Sequence, residues 1–147
     1  MPRLATAILK YKKVGVDPFL GDVLRPIIPV EVSRFNKDGT EISEKHMVLI
    51  DSGADFCIFS GDFGELIGIE VNKGRPYSFS GVGGRPLNGY IHRVGITVSS
   101  LPTINVDAVF SYEVNEQNVG ILGQRCFFDH FSVNFRYRQG EIVIKNG

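Results

Sequence analysis

Hydrophobic positions in this chain come in short bursts of Val, Ile, Phe and Tyr, separated by Gly, Pro, Asn and Asp. Runs this short and this often broken mark β structure; helices repeat their apolar residues every three or four positions over a longer window. The pattern predicts strands near Ala5–Tyr11, Ile27–Phe35, His46–Ile50, Tyr77–Ser80, Gly89–Ser99, Ile104–Phe110, Ser132–Tyr137 and Glu141–Lys145. The stretch NKDGTE, Asn36 to Glu41, is the turn that pairs the second and third as a hairpin. RYRQGEIVI closes the chain with a second tight hairpin around Gln139-Gly140. YIHRVGITV alternates well enough to leave one face in water. Helix is scarce. Gly61–Ile67 has room for a turn or two, and Gln124–His130 is the best helical candidate, with Cys126, Phe127 and Phe131 sharing a face. The expected architecture is all-β: a small, closed β-barrel with one or two short helices.

Composition narrows this reading. At 147 residues with 43% hydrophobic positions, the chain suits one domain with a proper core, spanning 1–147, and disorder is not expected. Sixteen basic residues balance sixteen acidic ones, which removes any global pull toward nucleic acid or an anionic membrane. No apolar run reaches the length of a membrane span, and the N-terminus lacks the long apolar region of a signal peptide. The two cysteines, Cys57 and Cys126, are too few and too far apart to suggest a disulfide framework or a zinc site. They read as free, buried hydrophobes in a reduced, cytoplasmic protein. His46, His92 and His130 match no metal-binding spacing, so neither a metal nor another cofactor is expected.

Three stretches carry candidate chemistry. In HMVLIDSGADFCIFS an apolar run ends in Asp51-Ser52-Gly53-Ala54 and then turns apolar again. Asp, Ser and Gly are ordinary turn residues, so a surface turn is one reading. A turn wedged between two buried runs is unusual, and a buried carboxylate needs a reason. In YSFSGVGGRPLNGYI, Ser80-Gly81-Val82-Gly83-Gly84 lies between two β-like runs. Its glycines let the backbone bend and lie close against a ligand. Alone this is an ordinary hairpin loop, and the spacing rules out a dinucleotide fingerprint. In VGILGQRCFFDHF, Ile121-Leu122-Gly123 reads as core strand followed by a glycine turn.

In this order, VLIDSGAD, FSGVGG and GILGQRCFF resemble the motifs of the retropepsin-like aspartic proteases, the retroviral proteases and their bacterial single-domain relatives. The resemblance covers about residues 27–145 and leaves residues 1–26 as an N-terminal extension. It implies an acid-protease barrel with a flap hairpin, and peptide hydrolysis by two aspartates holding one water. Asp51 is the candidate catalytic residue, supported by Ser52 and Gly53. Ala54, Asp55, Ser80, Gly81, Val82, Gly83, Gly84 and Ile121 are the implied substrate-binding residues, with Phe56 adding apolar surface. Where many relatives carry a charged residue after the last glycine, this chain has Gln124, with Arg125 one place later.

Such chemistry needs two Asp-Ser/Thr-Gly motifs. Asp38-Gly39-Thr40 has the wrong order, and Asp107 and Asp129 lack the following glycine. One copy per chain implies a homodimer with Asp51 of each subunit at the two-fold axis. Peptide or protein substrates, and no nucleic acid or membrane, are the expected partners. The alternative is a non-catalytic dimerisation or peptide-binding module of the same fold.

Overall fold

The computed structural model describes residues 4–80, 84–114 and 119–147. Twelve strands are present among them: β1 Thr6–Lys10, β2 Lys12–Asp17, β3 Gly21–Arg25, β4 Ile27–Phe35, β5 Glu41–Ile50, β6 Ile58–Ser60, β7 Arg75–Ser80, β8 Pro86–Thr97, β9 Ile104–Ser111, β10 Gly120–Leu122, β11 Ser132–Arg136 and β12 Glu141–Lys145. One α-helix, α1, spans Gly61–Leu66. The fold is all-β.

Alternation builds the central sheet. In β4, Ile28, Val30 and Val32 point into the core while Pro29 and Glu31 stay in water. This β-period pattern lets one face of the strand cover apolar neighbours. The seven strands run in the order β4-β5-β10-β6-β9-β8-β7. β4 also pairs with β8, from Glu31 opposite Thr97 to Ser33 opposite Gly95, so the strand order returns on itself. Gly95 permits this closure, because a Cβ there would lie 2.6 Å from Ser33 Oγ. Inside pack Phe59 and Phe110, with ring centroids 5.5 Å apart, together with Ile28, Val48, Ile96 and Leu122.

A second sheet, β1-β12-β11, joins the two ends of the chain. Its fully buried Ile142 and Ile144 belong to the same core cluster. β2 and β3 form a separate hairpin whose tip residues Phe19 and Leu20 are almost fully exposed. Helix α1 starts at Ser60, whose hydroxyl accepts the Phe63 N–H at 3.1 Å, the usual N-cap bond. Arg34 closes its other end by donating to the carbonyls of Ile67 and Gly68, both at 2.7 Å. No helix among the described residues is long and apolar enough to cross a membrane.

Two expectations are corrected. Residues 124–130 form a run of tight turns rather than a helix. Their amides reach carbonyls three, four and five residues back, as in Phe127 to Gly123, Asp129 to Gln124 and His130 to Phe127. Cys126 has φ 132°, which a regular helix cannot hold. Phe127 and Phe131 still face the core, so the apolar pattern was real but the backbone is not helical. The second correction concerns the cysteines. Cys57 and Cys126 are not free thiols: they form a disulfide across a sequence separation of 69, with Cα atoms 6.0 Å apart.

Candidate active site

The site is built where β5 ends. Ile50 N–H donates to the Pro26 carbonyl, and Asp51 N–H to the Leu122 carbonyl, both at 3.0 Å. β5 and β10 run parallel here, with Leu49 opposite Ile121 and Ile50 opposite Leu122. The two sequence motifs, Asp51-Ser52-Gly53 and Ile121-Leu122-Gly123, are therefore neighbours in space. Beyond Ile50 the chain turns sharply. Asp51 Oδ1 accepts the Gly53 N–H at 2.9 Å, and the Asp51 carbonyl accepts the Ala54 N–H at 3.1 Å. A Cβ on Gly53 would press to 3.2 Å on that same Oδ1.

A second segment holds this turn from behind. Gln124 N–H donates to the Ala54 carbonyl and Arg125 N–H to the Asp55 carbonyl, each at 2.8 Å. Gln124 Nε2 reaches the Ser52 carbonyl at 2.7 Å. This close approach explains Gly123: a Cβ there would lie 2.3 Å from the Phe56 carbonyl oxygen and 2.7 Å from that of Ala54. The disulfide then ties Cys57, just after the first segment, to Cys126, just after the second. The Asp51 loop is thus fixed by backbone bonds, one side-chain amide and a covalent bridge.

Among the described residues, Asp55 forms no ion pair with Arg125 or with any other cation. Arg125 meets Asp55 through its backbone N–H, and Gln124 supplies the side-chain contact to the loop.

Facing this loop is the β7–β8 hairpin, in register from Arg75 opposite Ile91 to Ser80 opposite Pro86. Between them lies a cleft of about 430 Å³. Gly53, Ala54, Asp55 and Phe56 line one side, and Tyr77 to Ser80 line the other. Phe56 and Tyr77 meet edge to face across it, with centroids 5.3 Å apart. Of the predicted binding residues, Ala54, Asp55 and Ser80 are on its wall. Ile121 is not: it sits in β10 between Leu49 and Ile58 and supports the loop. Gly84 is exposed with φ +74°, a conformation that favours glycine. Gly81, Val82 and Gly83 lie outside the described residues.

Asp51 is half-buried, while Ser52 and Gly53 are exposed. Neither Asp51 nor Ser52 belongs to the cleft wall. A rigidly held carboxylate can polarise a water, but proton transfer in both directions needs a second titratable group. The sequence reading missed Tyr77, the role of Gln124 and the disulfide. The disulfide had one local signal: each cysteine follows one of the two interlocked motifs within a few residues.

No protein-family model and no curated protein matches the chain. Solved structures do. A retropepsin-like aspartic protease from Rickettsia conorii superposes with a TM-score of 0.56 at 10% identity, covering 97% of this chain and 92% of the other. The protease of EIAV, solved with the inhibitor HBY-793, aligns at 23% identity and a TM-score of 0.46 over 68% of this chain and 82% of its own.

Proposed function

We propose that this chain, which has the fold of the retropepsin-like aspartic proteases, is an aspartic endopeptidase that works as a homodimer. The observation that carries this reading is the Asp51 loop: a rigid Asp-Ser-Gly turn, locked by Gly123 to Arg125, whose Gly53 lines a cleft faced by the β7–β8 hairpin. Each chain supplies one such loop, so two chains are needed for the pair of carboxylates.

Two carboxylates about 3 Å apart cannot both ionise, so the pair shares a proton. One Asp51 takes a proton from the bound water as it attacks the scissile carbonyl. The partner's Asp51 donates its proton to the developing tetrahedral oxygen. The two titrate as a unit, and no separate pKa belongs to either. Ser52 braces one loop against its copy across the axis. The carbonyl of Gly53 and the exposed carboxylate of Asp55 receive the substrate backbone, and residues 80–84 act as a flap that excludes water. Phe56 and Tyr77 favour apolar substrate side chains beside the scissile bond.

A non-catalytic peptide-binding module is the second reading. It is favoured by the absence, among the described residues, of an arginine paired with Asp55. Cleavage of a mixed peptide library by wild type and by Asp51→Asn separates the two. The peptidase reading expects wild-type cleavage that disappears in an equally dimeric Asp51→Asn protein. Equal cleavage by both, or none by a dimeric wild type from acidic to neutral pH, overturns it.

A further inference from the structure

Beyond the Phe56–Tyr77 pair lies a second, larger hollow of about 720 Å³. Both aromatic residues belong to the walls of both spaces, so they form a ridge between the cleft and this hollow. Arginines from three separate parts of the chain converge on it: Arg75 from β7, Arg93 from β8 and Arg125 from the turn behind the Asp51 loop. His130 joins them.

The acidic residues in the hollow are already engaged. Asp107 pairs with Arg93 at 3.5 Å. Asp129 Oδ1 accepts the Cys126 N–H at 3.0 Å and stands 3.9 Å from His130 Nε2. Arg75 and Arg125 form no ion pair among the described residues. Three arginines against two aspartates leave the lining of the hollow with one net positive charge, in a chain whose formal net charge is zero, beside a peptide-sized cleft. A guanidinium presents a planar fork of N–H donors that fits a carboxylate.

We propose that this hollow is the outer part of the peptide-binding groove and that Arg75 and Arg125 select an Asp or Glu side chain in the bound peptide. The inference rests on the peptide-cleft reading above and adds the substrate class. Phe56 and Tyr77 wall both spaces, so an extended peptide leaving the cleft over them carries its next residues into the hollow, and the acidic residue falls outward of the residue lying over Gly53 to Asp55. Preferred substrates are therefore apolar near the cut and acidic farther out.

The test uses the mixed peptide library, with cleaved and retained peptides read by mass spectrometry. Wild type is compared with Arg75→Gln and Arg125→Gln, each checked for an unchanged unfolding midpoint. Retention is read separately on Asp51→Asn, which does not depend on cleavage. Exposed ion pairs of this kind are worth a few-fold each, so wild type should enrich Asp and Glu over Asn and Gln about three- to fivefold at the outer positions. Either arginine variant should lose most of that enrichment, and added salt should weaken it in wild type. Cleavage with no acidic preference, or a preference that survives in both variants, overturns the proposal and leaves the peptidase reading standing. Arginine-dependent retention of acidic peptides by a protein that cleaves nothing does the reverse. Neither cleavage nor acidic retention overturns both.

Discussion

At Gly123 one hydrogen decides whether two loops can touch. The carbonyls of Ala54 and Phe56 occupy the space a methyl group would take; both are backbone atoms, and that of Ala54 already accepts the Gln124 N–H. Gly123→Ala must push the Asp51 loop away from its support, at a cost of about 1–3 kcal/mol by the usual scale of overpacking and strain. Urea unfolding should show that loss, and library cleavage should fall with it because Asp51 moves. An unchanged midpoint would mean that the loops are not locked as described. His46 supplies a second test at this scale. It stacks on Phe63 with centroids 3.9 Å apart, and burial holds its pKa below the ordinary 6.5. Below that pH the unfolded chain takes up a proton that the folded chain refuses, so stability drains away as pH falls through 6.5 toward the lower folded-state value. Between about pH 7.5 and 5.5, wild type should lose more stability than His46→Phe, whose ring cannot titrate. Equal losses would contradict this assignment.

Among elements, β4 and β12 fall where the alternation placed them, because each buries one clean face. β5 was half-legible. Its polar first half, Glu41 to Lys45, is held by pairing with β4 and has Ile42 as its one apolar residue. β2 and β3 were not seen at all, since their residues are mostly exposed and answer only to each other. The run from Gln124 to His130 has helix-like apolar spacing, yet the backbone partners of Gln124 and Arg125 lie in the Asp51 loop, and that long-range demand overrides local preference. The disulfide was missed for a related reason: its cysteines are far apart in sequence, and the parallel β5–β10 pairing brings their loops together. Closing a loop of 69 residues stabilises the fold by about 4 kcal/mol in the chain-entropy account. Reductant, or Cys57→Ala with Cys126→Ala, should lower the melting temperature by on the order of 10 °C. A melting temperature indifferent to reductant would show that the bond contributes nothing.

For the molecule as a whole, the sequence disclosed the candidate site better than its surroundings. Asp51, Gly53 and Gly123 stood out because the turn and the close approach require those residue types, and their order along the chain matched a known arrangement. The groove of Arg75, Arg93 and Arg125 stayed hidden, because its members are scattered along the chain and meet only once β7, β8 and the Asp51 loop are in place. The central claim concerns symmetry: one Asp51 per chain, and a reaction that needs two. Mixing wild type with Asp51→Asn at equal amounts, after subunit exchange, tests it directly. If the dyad is shared, hybrid dimers are inactive, and cleavage per wild-type chain falls to about half. Cleavage per wild-type chain that stays constant would mean that one chain suffices, and the shared-dyad account would be wrong.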